Sequence, residues 1–211
     1  DVSKPLLNRL LEGKPRMILK AVSGIDFEII KGQTFALVGE SGCGKSTVAN
    51  LVVGLHPPTS GKIEFEGVDM AAVTNRTQME QLRRRMAMIF QDPYASLNPR
   101  WRVSPIVSEP IRAFGLLKGA RKISQRTAEL LTQVGLSPAD GEKYPHEFSG
   151  GQRQRISIAR ALASEPEFIV CDEPTSALDV SVQAQALNLL MDLQDEMNLA
   201  YLFISHDLSV V

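Results

Sequence analysis

The sequence has few cysteines and almost no net charge. Only two of its 211 residues are cysteine, Cys43 and Cys171, and their separation fits neither a disulfide framework nor a metal site. Such low cysteine usage is typical of a reducing compartment. The 23 basic and 24 acidic residues nearly cancel, so nothing indicates a general basic surface for nucleic acid or an anionic membrane. We therefore expect no nucleic-acid partner.

The sequence also has no long apolar run. No stretch approaches the roughly 20 residues that a helix needs to span a bilayer. Any membrane role is therefore expected to need a separate, membrane-spanning partner. Hydrophobic residues still make up 44% of the chain, which is ample for one large domain, with or without a subdomain.

The most informative segment is a glycine-rich loop. It follows the apolar residues 35–38, which predict a strand, and it leads into a helical pattern. Such a loop cradles phosphate, because glycines let backbone N–H groups approach an anion and the helix dipole points at it. We expect Lys45 to reach the β- and γ-phosphates and Ser46 to ligate Mg²⁺. The predicted nucleotide-binding residues here are Gly39, Glu40, Ser41, Gly42, Cys43, Gly44, Lys45, Ser46 and Thr47.

Apolar and polar residues alternate on both sides of this loop. Residues 18–22 and 25–29 alternate as a half-buried strand would. Residues 62–68 alternate again and end in a turn, which predicts an antiparallel element. Residues 79–85 predict a helix, and its three arginines at 83–85 are expected to be exposed to solvent.

Proline marks a change in composition in the middle of the chain. Four prolines and the only tryptophan, Trp101, lie between residues 93 and 110, and apolar residues then recur at helical spacing. We therefore interpret this region as a helical insertion. The predicted organisation is a lead-in (1–16) and one domain (17–211), with a nucleotide-binding core (17–91 and 149–211) and a helical subdomain (92–148).

Four apolar segments each end in polar residues suited to phosphate chemistry. Besides the strand before the glycine loop, they are residues 86–90, 168–171 and 200–204. Ligands of parallel α/β sheets bind beyond the carboxyl ends of the strands, so we expect one shared site there. Its predicted members, besides the loop, are Gln91, Asp172, Glu173 and His206.

This set of side chains suits phosphoryl transfer to water, in which catalysis is mainly positioning and charge neutralisation. Asp172 is expected to hold Mg²⁺ directly or through a water. Glu173 is expected to act as general base on the attacking water, which Gln91 helps to place, and His206 to bond the γ-phosphate. The predicted catalytic residues are Glu173, His206, Gln91 and Lys45, and the predicted metal ligands are Ser46, Gln91 and Asp172.

A second anion-binding terminus is predicted at the helix that begins near residue 150. Ser149 can cap this helix, and Gly150 and Gly151 leave N–H groups exposed at its positive end. Taken alone, the segment would favour an ordinary Ser-Gly-Gly loop that caps a buried helix. Its occurrence together with the four strand ends favours anion binding.

In this order, the motifs resemble those of the nucleotide-binding domain of ABC transporters. The glycine loop is similar to the Walker A motif of that family, Gln91 to its Q-loop glutamine and His206 to its switch histidine. Asp172 and Glu173 resemble the end of its Walker B strand. The resemblance identifies Ser149, Gly150, Gly151 and Gln152 as the signature motif and Ser176, Ala177, Leu178 and Asp179 as the D-loop. It implies an α/β fold: a P-loop NTPase (RecA-like) core with a parallel sheet, an antiparallel β subdomain and a helical subdomain insertion.

Residues 90–100 and 172–183 more narrowly resemble the ATPases of dipeptide, oligopeptide, nickel and glutathione importers. In that family two ATPase subunits pack head to tail. The resemblance therefore implies that each ATP is bound by Lys45 and its loop in one subunit and by the signature motif of the other. The residues that it adds to the nucleotide site are Ser149, Gly150, Gly151, Gln152 and Asp179.

The resemblance also implies partners and a location. The expected partners are a second ABC ATPase subunit, identical or homologous, and transmembrane permease subunits, with an extracytoplasmic solute-binding protein involved indirectly. The segment from Gln91 to Trp101 would dock a coupling helix of the permease, and packing of Trp101 within the subdomain is an equal alternative. The chain would lie peripherally at the cytoplasmic face of the cell membrane, where ATP hydrolysis drives import of peptides or similar small solutes.

Three features depart from the family pattern. Phe148 replaces the usual leucine at the start of the signature, a conservative change that we expect to be harmless. No aromatic residue precedes Phe27, so we expect an aliphatic side chain such as Met17 or Ile18 to pack on the adenine. The importer ATPases continue well beyond the position of Val211, so we expect this sequence to be truncated at its C-terminus.

Two other functions are weighed against import. A soluble ABC ATPase acting on nucleic acid or ribosomes is disfavoured by the short insertion, the neutral charge and the lack of a basic arm. A non-catalytic nucleotide-binding regulator is disfavoured because Lys45, Glu173 and His206 are all retained. The sequence leaves open which solute is carried and whether the two ATPase subunits are identical.

Overall fold

The computed structural model describes residues 20–176 and 178–208. Within these residues no helix is both long enough and apolar enough to cross a membrane. Some sequence predictions lie outside the described residues. They are the lead-in at 1–16, the start of the 18–22 strand, Met17 and Ile18 as residues that pack on adenine, and Ala177 of the D-loop.

A parallel sheet of four strands forms the centre of the fold. The strands of the described residues are β1 (Thr34–Val38), β2 (Glu64–Phe65), β3 (Val68–Asp69), β4 (Met86–Ile89), β5 (Phe168–Asp172) and β6 (Ala200–Ser205). The central sheet has the order β1-β6-β5-β4, and every neighbouring pair in it is parallel. Strands β2 and β3 form a separate antiparallel hairpin.

Helices cover the sheet and fill the middle of the chain. They are α1 (Lys45–Val52), α2 (Arg76–Arg84), α3 (Pro93–Ser96), α4 (Val103–Ala113), α5 (Ala120–Gln133), α6 (Gly150–Leu162) and α7 (Val180–Met197). Two short 3₁₀ helices, Pro138–Glu142 and Pro145–Glu147, lead into α6.

Burial explains why the central strands are apolar runs. Every residue of β5 and of β6 is buried, as is usual for parallel strands that are covered on both faces. Their register pairs Val38 with Ser205 and Asp172 with Ile204. The carboxyl ends of these strands therefore meet at one edge of the sheet, as the sequence predicted.

Two groups of buried apolar residues stabilise the fold. One joins the sheet to helices α4, α5 and α6 and includes Ile106, Leu130, Leu131, Ile156 and Ile158. The other joins the sheet to α1, α2 and the hairpin and includes Ala49, Leu82, Val170, Leu202 and Ile204. Removing large buried side chains of this kind typically costs about 2–5 kcal/mol of stability.

Several predicted elements are present. The hairpin β2–β3 lies in the predicted antiparallel segment 62–68, although each strand has only two residues. Helix α2 covers most of residues 79–85, and helices occupy much of 92–148. The division into a core and a subdomain stays a prediction.

The strand predicted over residues 25–29 is wrong. Residues 20–33 contain only turns and irregular structure. Ile25 is 49% exposed, and Phe27 stacks on Phe35 of β1 with ring centroids 4.9 Å apart. Alternation indicates one apolar face, but a strand also needs a partner edge for its backbone hydrogen bonds. In the described chain β1 pairs with β6 alone.

The prediction that all three arginines at 83–85 are exposed is confirmed for Arg83 and wrong for Arg84 and Arg85, which are half-buried. Arg85 Nε donates to Glu167 Oε1 at 2.6 Å, and its Nη2 donates to Glu167 Oε2 at 2.9 Å and also to Glu66. Arg83 Nη2 donates to the carbonyl oxygen of Gly54 at 3.0 Å. These arginines therefore tie the end of α2 to neighbouring loops.

Candidate functional site

The glycine loop lies between the end of β1 and the start of α1. Gly44 is the N-cap of α1 and has φ of 107°, a conformation that side-chain-bearing residues rarely adopt. A Cβ at this position would also overlap the carbonyl oxygen of Ala21. Gly44 thus has to be glycine for two independent reasons, of which the sequence pattern indicates only the first.

Lys45 is the first residue of α1 and is only 7% exposed. Its Nζ donates to the carbonyl oxygens of Gly39 at 2.7 Å and of Glu40 at 2.9 Å. Nζ also lies 3.7 Å from Glu173 Oε1. The loop therefore folds around the ammonium group and holds a buried positive charge beside the carboxyl edge of the sheet.

Ser46 and Asp172 meet at the same edge. Ser46 Oγ donates to Asp172 Oδ1 at 3.2 Å. Burial raises the pKa of the Asp172 carboxyl, while the hydrogen bond from Ser46 and the charge of Lys45 oppose that rise. A hydroxyl and a carboxylate are hard oxygen donors of the kind that Mg²⁺ prefers, so the predicted metal ligands fit this cation.

Glu173 is the point on which three other predicted residues converge. Gln91 Nε2 donates to Glu173 Oε2 at 2.9 Å, and His206 Nδ1 lies 3.1 Å from the same oxygen. Glu173 has φ of 46°, which is uncommon outside glycine, and its N–H donates to the carbonyl oxygen of Ile204 in β6 at 3.0 Å. The loop, β4, β5 and β6 thus deliver Lys45, Gln91, Glu173 and His206 to one place.

An open cleft adjoins this cluster. Its lining residues are Ser41, Gln91, Asp92, Glu173, Ser176 and His206. Asp92 is not among the site residues that the sequence predicts. Its carboxylate accepts from the N–H groups of Tyr94 and Ala95 and so caps α3, and the Asp-Pro pair at 92–93 is the sequence signal for that cap.

The signature residues lie elsewhere. Ser149 caps α6 as predicted: its Oγ accepts from the N–H of Gln152, whose side chain accepts from the N–H of Ser149. Of the described residues that line the cleft, none belongs to 149–152. Asp179, the N-cap of α7, is not among them either. The hydrogen bonds and ion pairs that join the glycine loop to the strand ends involve none of the described residues 149–152.

Comparisons with known proteins show which family the chain is similar to. A family model described as ABC transporter matches residues 22–176. The chain is 53% identical over 197 residues to the oligopeptide transport ATP-binding protein OppF of Bacillus subtilis, which covers 93% of this chain and 65% of that protein. It is 50% identical over 213 residues to AppF, the oligopeptide transport ATP-binding protein of the same organism, covering 100% of this chain and 64% of that protein. The chain thus spans less than two thirds of the length of these relatives.

Solved structures give the same fold. The dimeric structure of MJ0796, a bacterial ABC transporter cassette, aligns with a TM-score of 0.78 at 29% identity and covers 90% of this chain and 82% of that one. The structure of cbiO1 from Clostridium perfringens, part of the ABC transporter complex cbiONQ, aligns with a TM-score of 0.78 at 30% identity, covering 90% of this chain and 74% of that one. The predicted P-loop NTPase fold is confirmed.

Proposed function

The chain belongs to the ABC transporter family, and from that premise we propose that it is an ATP-binding and ATP-hydrolysing subunit of an importer for peptides or similar small solutes. The observation that carries the proposal is the convergence of Lys45, Gln91 and His206 on Glu173. The names of the oligopeptide transport relatives support the solute class.

ATP and Mg²⁺ are the proposed ligands of this edge of the sheet. The glycine loop and Lys45 would bind the β- and γ-phosphates, with Thr47 and Cys43 contributing to the same loop-to-helix turn. Ser46, Asp172 and Gln91 would hold the metal, which supplies charge neutralisation on the phosphates when it is bound.

Glu173 is the proposed general base. It would accept a proton from the water that attacks the γ-phosphate. Gln91 and His206 both reach Oε2 of this carboxylate, so they can hold its orientation, and either can turn toward water or phosphate when nucleotide occupies the cleft.

The site is completed by a second subunit in this proposal. The contacts that join the loop to the strand ends include none from the signature. In this proposal Ser149, Gly150, Gly151 and Gln152, with Asp179, would therefore act on the nucleotide of an identical or homologous ATPase partner. Ser149 and the first turn of α6 present N–H groups that suit phosphate binding.

Exposed aromatic side chains near Gln91 form the proposed docking surface for the transmembrane permease. Phe90 is 39% exposed, Tyr94 55% and Trp101 44%. The exposure of Trp101 favours docking over packing within the subdomain. A subunit docked in this way would lie peripherally at the cytoplasmic face of the membrane, and an extracytoplasmic solute-binding protein would act on it only through the permease.

ATP-dependent dimerisation tests the proposal. We expect Glu173→Gln to form a dimer in Mg-ATP, seen by light scattering, because it binds nucleotide without turning it over, while the unaltered chain dimerises only transiently. A Glu173→Gln chain that binds ATP and stays monomeric, alone and with a candidate partner ATPase, would contradict the two-subunit site. Recovery of ribosomes or DNA in place of a permease in a pull-down from membranes would contradict import.

A further inference from the structure

Residues 149–152, at the N-terminal end of α6, form the signature turn. This turn packs against α7 of the same chain. A Cβ built on Gly151 would overlap Cγ1 of Val182, in the first turn of α7. A Cβ on the preceding Gly150 would lie 3.3 Å from Cδ2 of Leu178. The backbone of the turn thus rests directly on Val182, with no room between them for even a methyl group.

Val182 has little freedom to move away from Gly151. Valine in a helix strongly prefers one χ1 rotamer, so its methyl group cannot easily turn aside. The start of α7 is also fixed, since the N–H groups of Val182 and Gln183 both donate to the Asp179 carbonyl oxygen at 2.9 Å. Gln183 Nε2 donates in turn to the carbonyl oxygens of Thr175 at 3.0 Å and of Leu178 at 2.9 Å.

We infer that Val182 is a positioning residue for the signature turn: its Cγ1 methyl sets where Gly151, and with it Ser149, stands. This inference rests on the proposed function, in which the turn serves the nucleotide of a partner subunit. The contact with Val182 then requires glycine at position 151 even in the isolated chain, without nucleotide or a partner subunit. Since Gln183 ties α7 to the loop that follows Glu173, the turn is placed relative to the base of its own subunit.

A double-variant experiment separates this contact from a contact with nucleotide. In the chain carrying Glu173→Gln, Gly151→Ala is expected to weaken Mg-ATP-dependent dimerisation by about 10-fold, within the range of coupling between residues in contact. Adding Val182→Ala removes the Cγ1 methyl group that would overlap the new side chain. The Cβ atoms at positions 151 and 182 are then 3.7 Å apart, which is an ordinary contact. We expect the dimerisation affinity of the double variant to lie within about 3-fold of that of Val182→Ala alone.

Three further measurements make the result specific. Binding of a fluorescent ATP analogue to the monomer should change by less than about 2-fold in all variants, because Lys45 and its loop are untouched. Met191→Ala, at a 62% exposed position on α7, is the control and should dimerise normally. Thermal unfolding without nucleotide should show a lower midpoint for Gly151→Ala and a recovered one for the double variant.

A double variant that dimerises as poorly as Gly151→Ala would overturn the inference, because the glycine would then be needed for something other than Val182. Recovery of the unfolding midpoint without recovery of dimerisation would overturn it as well, since the contact would then only stabilise the fold. If Glu173→Gln itself does not dimerise, the proposed function fails separately. In that case thermal unfolding still tests the contact between Gly151 and Val182. If the double variant has the same unfolding midpoint as Gly151→Ala, the inference is overturned.

Discussion

Gln91 Nε2 donates to Oε2 of Glu173 at 2.9 Å, although the two residues are 82 positions apart in the chain. They meet because β4 and β5 are parallel neighbours whose carboxyl ends lie at the same edge of the sheet. The amide of Gln91 therefore has a direct means of orienting the proposed base.

Replacing Gln91 with alanine tests that orienting role. Hydrogen bonds to charged groups are worth about 1.5–3 kcal/mol, so kcat of ATP hydrolysis should fall by roughly 10- to 100-fold. At saturating Mg²⁺, KM should change less than kcat, because Lys45, Ser46, Asp172 and the loop still bind the nucleotide and its metal. Gln125→Ala, at an exposed position of α5, is the control. A Gln91→Ala chain with unchanged kcat and a raised KM would place Gln91 in ground-state binding instead.

Glu173→Gln tests the general base directly. The change keeps the size of the side chain and removes its ability to accept a proton, so phosphate release should fall by about 10²–10⁴-fold. Affinity for ATP should be preserved. Glu129→Gln, on the exposed face of α5, is the matched control. A variant that still hydrolyses ATP at the normal rate would require another base.

The strand ends could be predicted from sequence because each is encoded locally. An apolar run gives a buried strand, the residue after it gives the polar group, and the parallel arrangement brings the ends together without further information. Asp172, Glu173, Gln91 and His206 were located in this way, and the structure places the last three in contact.

Contacts between distant segments could not be predicted in the same way. The packing of Ala21 on Gly44 and of Val182 on Gly151 depends on tertiary positions that no single segment specifies. The same limit explains the error at residues 25–29, where a correct apolar pattern has no partner strand in the described chain. It also explains why Arg85 was expected in solvent, since its partner Glu167 precedes a strand far along the sequence.

Gly44→Ala should destabilise the chain more than an alanine at another glycine of positive φ. Holding alanine in the left-handed region costs about 1–3 kcal/mol, and at Gly44 the new Cβ would also overlap the carbonyl oxygen of Ala21. Gly61, with φ of 83° and nothing within 4 Å of a built Cβ, is the matched control. Urea unfolding without nucleotide measures the free energy of unfolding of both variants. If both variants lose the same amount, the backbone at Ala21 can move away from the new Cβ at no cost.

The ion pair of Arg85 with Glu167 should make stability depend on pH in acid. Hydrogen bonds from Arg85 lower the pKa of the Glu167 carboxyl from its ordinary value of 4.5 to about 2. A carboxyl whose pKa is depressed by folding stabilises the native state above its unfolded pKa, and that stabilisation is lost as the pH falls from about 4.5 toward 2. Because the Glu167 side chain is 34% exposed, screening by solvent reduces the effect at neutral pH to about 1–2 kcal/mol. At pH 7, Glu167→Gln should therefore have its unfolding midpoint at a lower urea concentration than the unaltered chain. The difference between the two midpoints should become smaller below pH 4.5.

Glu165→Gln is the control for this ion pair. Glu165 lies 3.5 Å from Arg84, and both side chains are more exposed than those of Arg85 and Glu167, so its loss should change stability by less than about 0.5 kcal/mol at any pH. The comparison separates a specific pair from the general effect of removing a carboxylate near α2. If the gap between Glu167→Gln and the unaltered chain stayed constant from pH 7 to pH 3, the stabilisation would come from side-chain packing rather than from the charge of Glu167.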